Sequence, residues 1–266
     1  MIETKERIQL PMMALRGLTV FPNMAISFPV GRQKSLDALE VADEGDKRIF
    51  LVAQRDPEDA SPEQMGLYEF GTVATIKQIL KLPGNMTHVI VEGVIRGRLE
   101  TVQHKRKCDY AEITTIAQDF PELPEVHTAA EMRIAQDLYE EYAKFVPNTT
   151  AVDLLPNVLA SGKPGKLADV IAAGLEISFD RKQRILEILN PYDRLQAVME
   201  IMRYEQQVLR VKREIEAKTK DAIDKNQREY FLREELKVIQ EELGDKDGIG
   251  CLLYTSDAAD EARSVD

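Results

Sequence analysis

Over roughly the first 117 positions, apolar residues recur at short intervals among β-branched side chains, with Pro and Gly punctuating them, a pattern that predicts strands. Residues 8–15 and 25–30 predict the first two strands, the second alternating Ile26, Phe28 and Val30 against Ser27 and Pro29. Phe21-Pro22-Asn23-Met24 between them carries turn chemistry. Residues 34–42 place Leu36, Leu39 and Val41 near helical spacing, and residues 49–53 form a compact apolar strand before a polar loop at 54–64. Two longer β-rich segments, 71–82 and 88–98, are joined by Pro83-Gly84-Asn85, a hairpin signal. Residues 110–116 predict another strand of the same antiparallel sheet. Several short strands and one helix imply a β-rich, barrel-like or sandwich-like lobe over residues 1–119.

The pattern changes at 118–126, where Pro121 and Pro124 interrupt an acidic stretch and predict a domain boundary. Beyond it the period becomes helical. Ile134, Leu138, Tyr142 and Phe145 fall on one stripe of a helix over 128–145, and a second helix follows over 147–159. Ser161-Gly162-Lys163-Pro164-Gly165 is a turn, and two short helices follow at 167–175 and 181–189, so that 125–191 predicts a helical bundle. From Tyr192 to Leu243 there is neither Pro nor Gly. Leu195, Val198, Met202, Leu209, Val211, Ile215, Ile223, Leu236, Ile239 and Leu243 keep near-helical spacing, which predicts one helix over 192–244. At about 1.5 Å per residue it would run roughly 75 Å. Its middle, 216–228, is polar apart from Ala217, Ala222 and Ile223, as expected of a segment that projects or pairs with a partner helix, and self-association is the expectation. After Gly244 the period is lost, and 245–266, including Cys251-Leu252-Leu253-Tyr254, reads as a non-native tail. The fold class expected is α+β: the β lobe, the bundle, then the long helix.

Composition narrows the function classes. At 44% hydrophobic and 30% charged residues, the chain has the balance of a soluble globular protein. Its 35 Lys and Arg against 46 Asp and Glu give a net charge of -11, which repels phosphate backbones. The absence of Trp and of a row of stacking aromatics argues against nucleic acid as a partner. Cys108 and Cys251 lie far apart and without ligand spacing, so neither a disulfide framework nor a zinc site is encoded. No apolar run approaches the ~20 residues of a membrane span and the start lacks a signal-peptide core, so a cytoplasmic protein without membrane contact is expected.

Catalytic patterns are absent. Gly162-Lys163-Pro164-Gly165-Lys166 lacks the spacing of a phosphate loop and has Leu167 where Ser or Thr is needed. His88, His104 and His127 are isolated, and the acidic residues pair in any register, so no catalytic, cofactor or metal residue is assigned. The basic run His104-Lys105-Arg106-Lys107 reads as a solvated hairpin loop. More informative are apolar side chains in turns. Phe21, Pro22, Met24 and Met86 are the candidate substrate-binding residues, because adaptable Met and aromatic groups suit exposed hydrophobic segments of other proteins. The alternative is that they fold back over the open end of the lobe.

Leu10-Pro11-Met12-Met13-Ala14-Leu15-Arg16-Gly17, then Val20-Phe21-Pro22-Asn23-Met24 and Pro29-Val30-Gly31-Arg32, resemble the opening of bacterial Lon, the ATP-dependent protease family. Further matches are Phe70-Gly71-Thr72-Val73-Ala74, Lys81-Leu82-Pro83, Val91-Glu92-Gly93, Leu167-Ala168-Asp169 and residues 183–189. The most specific is Gln227-Arg228-Glu229-Tyr230-Phe231-Leu232-Arg233-Glu234-Glu235-Leu236-Lys237, continuing to Glu241-Glu242-Leu243-Gly244. The resemblance implies an amino-terminal, non-catalytic region that selects unfolded or damaged proteins and supports a hexameric ring. It also implies that the ATPase, which binds ATP and Mg, and the Ser-Lys protease lie outside this chain, which then has no enzymatic activity of its own. A different class stays open: a stand-alone small-ligand or nucleic-acid binding module on the same β lobe.

Overall fold

The computed structural model describes residues 6–82, 86–116, 124–146 and 149–242; the side chains of Leu82, Met86 and Thr149 are outside that description, as is the 245–266 tail. Among the described residues the apolar alternation produces six strands. β1 (Arg7–Leu15) lies parallel to β3 (Arg48–Ala53), with Met12 opposite Phe50 and Leu15 opposite Ala53. Between them the chain passes through β2 (Ala25–Val30) and α1 (Gln33–Glu44). β3 pairs antiparallel with β4 (Phe70–Leu82), β4 with β5 (Met86–His104), and β5 with β6 (Asp109–Thr115). Because β6 also pairs with β1, the order β1-β3-β4-β5-β6 closes on itself as a small barrel, and β2 is added outside along residues 87–92 of β5. The 19-residue β5 serves three neighbours, helped by register shifts between Val73 and Ala74, Ile76 and Gln78, and Leu99 and Thr101, where bulges bend the strands. The parallel β1–β3 pair is the one feature an antiparallel expectation misses.

Two cores use alternate residues of the same strands. Leu10, Met12, Phe50, Val52, Val73, Leu99, Ala111 and Ile113 form one cluster drawn from all five closing strands. Met13, Leu15, Ile49, Leu51, Ala74, Ile76, Val89 and Val91 form the other with Ala38, Leu39 and Ala42 of α1 and Phe28 and Val30 of β2. β3 is buried on both faces, which is why its sequence is a continuous apolar run. Gly71 and Gly97 face each other across β4 and β5, and a Cβ would come 2.6 Å from Phe50 Cζ at the first and 3.0 Å from Phe50 Cε2 at the second. The Phe50 ring occupies the space those two side chains would take.

The helical part is α2 (Glu125–Phe145), α3 (Thr149–Leu159), α4 (Pro164–Gly174), α5 (Phe179–Glu187) and α6 (Pro191–Glu242). α4 starts at Pro164, whose fixed φ and missing N–H suit a first helical turn, and is buried from Leu167 to Gly174. Tyr139 and Tyr142 of α2 pack beside it, the Tyr139 hydroxyl donating to the Ala151 carbonyl at 2.9 Å and the Tyr142 oxygen accepting the Glu176 N–H at 3.0 Å. Residues through Gln207 form one compact unit that holds barrel and bundle, and residues from Val208 form a second; the division falls inside α6. In the second unit Val211 to Ile239 are exposed throughout. No helix among the described residues is long and apolar enough to cross a membrane.

Candidate functional site

The turn that carries three of the four candidate residues is docked against the sheet. Asn23, at φ 59, turns the chain so that its N–H donates to the Gly93 carbonyl at 2.8 Å, while the Gly93 N–H donates to the Met24 carbonyl at 2.9 Å. A Cβ at Gly93 would overlap the Phe21 carbonyl oxygen, so the approach needs glycine there. Thr72 adds a hydroxyl hydrogen bond to the Val20 carbonyl at 2.6 Å. The expected exposed patch is therefore corrected: Phe21 is 0% exposed, Pro22 is buried and Met24 is half-buried. These apolar turn residues fold back onto the lobe because backbone hydrogen bonds tie them to β5. Met86 pairs through its backbone with Leu82, and its side chain lies outside the described residues.

A second feature of the lobe lies where β1 ends and α1 begins. Arg32 donates from Nη1 to Gln54 Oε1 at 2.9 Å and from Nη2 to the Asp59 carbonyl at 2.9 Å. Arg16 Nη2 reaches the same carbonyl at 3.3 Å, and Gln54 Nε2 does so at 3.1 Å. Two guanidinium groups thus converge on one neutral oxygen. Among the described residues neither has a carboxylate oxygen within 4.0 Å. Beside them runs a groove of about 430 Å³ whose apolar lining includes Met13, Leu15, Phe28 and Val30, each less than a tenth exposed. A second groove, about 610 Å³, is lined by Leu67, Leu99 and Met65, the last 91% exposed, and by Tyr68, whose ring lies 4.7 Å from the Arg55 guanidinium carbon. Sequence reading overlooked both grooves, since their linings come from separate segments.

The basic run at 104–107 is largely matched within the lobe. His104 Nδ1 lies 2.8 Å from Asp109 Oδ1, the Lys105 ammonium sits 4.0 Å over the Tyr110 ring, and Lys107 pairs with Glu40 at 3.0 Å. Hydrogen bonding to Glu40 raises the Lys107 pKa. Burial raises the Cys108 thiol, which suits an inert core cysteine. Among the described residues no three His, Cys, Asp or Glu side chains could hold a metal ion together.

Barrel and bundle meet at a buried cluster of charges. Arg96 of β5 grips Asp169 of α4 with Nη1 to Oδ2 at 2.9 Å and Nη2 to Oδ1 at 2.5 Å, and its Nε donates to the Leu186 carbonyl at 2.9 Å. Arg194 of α6 places Nε 3.0 Å from Asp169 Oδ1, off the hydrogen-bond line, while its Nη1 donates to the Ile188 carbonyl at 2.6 Å. All three side chains are at most 2% exposed. Burial is the first cause that pulls the Arg194 pKa down to about 10; Asp169 opposes that fall and Arg96 adds to it. Gln183 Nε2 to the Phe70 carbonyl at 2.9 Å and the Tyr68 hydroxyl to Asp180 Oδ1 at 3.1 Å continue the seam. Asp169 stands in the sequence as one more acidic residue; its burial depends on contacts 73 positions away.

Residues 9–204 match the family described as the ATP-dependent protease La (LON) substrate-binding domain. The Lon protease of Clostridium acetobutylicum is 40% identical over 245 residues, covering 91% of this chain and 31% of that protein. The Lon protease of Brevibacillus choshinensis is 39% identical over 246 residues, covering 92% and 31%. The chain thus spans about a third of the length of these relatives. Among solved structures, the N-terminal domain of a Mycobacterium avium complex Lon protease superposes with a TM-score of 0.57 at 16% identity, covering 73% of this chain and 98% of that one. The Lon N-terminal domain protein of Xanthomonas campestris gives a TM-score of 0.53 at 15% identity, with the same coverage. At such identities these structures bear on the fold alone.

Proposed function

The chain belongs to the Lon family through its substrate-binding domain, and from that premise we propose that it captures unfolded or damaged proteins for an ATP-dependent protease whose ATPase and peptidase lie elsewhere. The observation that carries this reading is the family match over 9–204, which takes in the barrel but for the first two residues of β1, and the bundle to the first turns of α6. The geometry supports it with two apolar-lined grooves on the barrel. Capture rests on adaptable surface contacts, Met65 foremost and Met24 in a lesser part, and not on Phe21 or Pro22, which are buried against the lobe. A small adaptable patch buries too little area for tight binding per copy, and several copies on one ring raise it by effective concentration.

The exposed part of α6 gives that ring its contact between copies. Val208, Val211, Ile215, Leu232, Leu236 and Ile239 fall at three- and four-residue steps within heptads, interrupted by the polar stretch 216–228, a pattern suited to a paired helix. ATP and Mg then bind outside this chain.

Fluorescence anisotropy with labelled, unfolded casein tests the main reading. The expected result is saturable binding at micromolar or weaker affinity, weakened several-fold by Met65→Ser with no change in melting temperature. Casein that fails to bind at any protein concentration would refute capture by this region.

A further inference from the structure

Arg16 and Arg32 are an anomaly in a chain with 46 acidic and 35 basic residues. Two adjacent guanidinium groups rest on neutral acceptors while carboxylates are abundant. Such a pair, brought together by one carbonyl, keeps its donors and its charge for an anion from outside. The neighbouring start of α1 adds to this. Its N-terminus has no side-chain cap and no acidic residue in the first turn, so the amides of Gln33, Lys34 and Ser35 lack intrahelical partners.

An independent observation sits in the same place. Ser35 is 9% exposed and lines the 430 Å³ groove, and its hydroxyl has no protein hydrogen-bond partner among the described residues and reaches solvent, so its donor is open to a ligand. The other cation nearby is already matched, since Lys34 lies 3.4 Å from Asp109. The groove beyond Ser35 is apolar, along Met13, Leu15, Phe28 and Val30. Its β2 wall has β5 as its sole sheet neighbour among the described strands, which leaves one edge of β2 for an extended chain.

We propose that this groove takes an extended protein segment in which an apolar residue adjoins a carboxylate. The apolar side chain lies on the groove floor. The carboxylate sits at the α1 N-terminus, held by Arg16, Arg32 and the Ser35 hydroxyl. The inference rests on the reading of the chain as a protein-capturing region, and it names the chemistry that one of its surfaces selects. The carboxylate comes from an Asp or Glu side chain or from the end of a polypeptide; both present the same planar pair of oxygens.

The test is fluorescence polarisation with the whole chain and three labelled octapeptides. One carries an internal Leu-Phe-Asp with both ends blocked, one is its Leu-Phe-Asn analogue, and one ends in Leu-Phe with a free carboxylate. The expected result is that at least one carboxylate peptide binds about ten-fold more tightly than the Asn analogue, in line with a charge-assisted hydrogen bond, and that added salt erodes the difference. Whichever carboxylate peptide wins identifies the source. Arg16→Gln, at an exposed position, is expected to remove most of the preference, and Ser35→Ala part of it, with melting unchanged. Arg32→Gln also loosens the 54–59 loop and is therefore not the deciding variant. Equal affinity for all three peptides, or a preference that survives both Arg16→Gln and Ser35→Ala, overturns the proposal. Casein separates the two levels: casein binding without carboxylate preference sinks the groove inference alone, and no binding of casein or of any peptide sinks both.

Discussion

A methyl group at Gly93 would meet the Phe21 carbonyl oxygen, which the two hydrogen bonds around Asn23 and Met24 fix in place. Gly93→Ala must therefore move backbone, and overpacking of this kind costs about 1–3 kcal/mol. Thermal unfolding of the variant should show that loss, whereas a change at Gly31, where a Cβ meets nothing within 4 Å, should leave melting where it was. Asp169 sets a larger effect. It is the sole carboxylate between two buried guanidinium groups among the described residues, so Asp169→Asn strands both charges, a change expected to cost about 3–5 kcal/mol. Replacing Arg96, Asp169 and Arg194 together by Met, Leu and Met should recover much of that loss, because a packed apolar cluster needs no compensation; denaturant melts of both variants check it. Tyr139 gives a pH signature. Burial, first, and the neighbouring Tyr142 raise its phenol well above the usual 10.0. The folded state then keeps a proton that the unfolded state releases, so the contribution of Tyr139 is complete below about pH 10 and declines as pH rises above it. Lys182, whose ammonium burial depresses, acts in the opposite sense at lower pH, up to the ordinary lysine value of 10.5, so the comparison must be between variants. Tyr139→Phe should lose about 1 kcal/mol at pH 7 with the Ala151 hydrogen bond and melt with a shallower alkaline slope than the parent.

Elements were legible where one segment carries its own pattern. Alternation in 25–30, the apolar run at 49–53 and the three- and four-residue stripe of α2 each lie within a few residues of the observed strand or helix. What the sequence does not display is pairing. The parallel β1–β3 register and the return of β6 to β1 depend on which faces meet, and both faces of β3 are apolar. The candidate site fared worse for the same reason. Phe21 and Pro22 sit in a turn, and apolar turn residues suggest exposure until Gly93 is seen opposite them. Arg16 and Arg32, 16 positions apart, meet only through Asp59. At α6 the unbroken helical spacing made the element legible, and Leu232, Leu236 and Ile239 are apolar and exposed on it. If a second copy covers them, Leu236→Glu with Ile239→Glu should move the sedimentation coefficient from dimer or larger toward monomer. Melting of the unit that ends at Gln207 should not change.

At the scale of the molecule the question is whether the barrel can exist without the bundle. Pro121 and Pro124 mark a divide near 120 in the sequence, while barrel and bundle lie in one compact unit that ends at Gln207 and meet at the Arg96–Asp169–Arg194 cluster. A polypeptide that stops after β6 would leave the Arg96 guanidinium without its carboxylate and without the Leu186 carbonyl, and the Phe70 carbonyl would lose its present donor, Gln183. Loss of a buried partner costs more than the intact pair contributes, so the separated barrel should be far less stable than its own apolar core implies. Two measurements test the coupling. Calorimetry on the whole chain should show barrel and bundle unfolding in one transition, with calorimetric and van't Hoff enthalpies in agreement for that transition. Limited proteolysis should leave a resistant fragment that ends near Gln207, because the backbone beyond it carries almost no buried side chains. Two well-separated transitions, or a protease-resistant barrel that ends near residue 116 and retains the melting temperature of the whole, would show that the charge cluster decorates a contact it does not hold together.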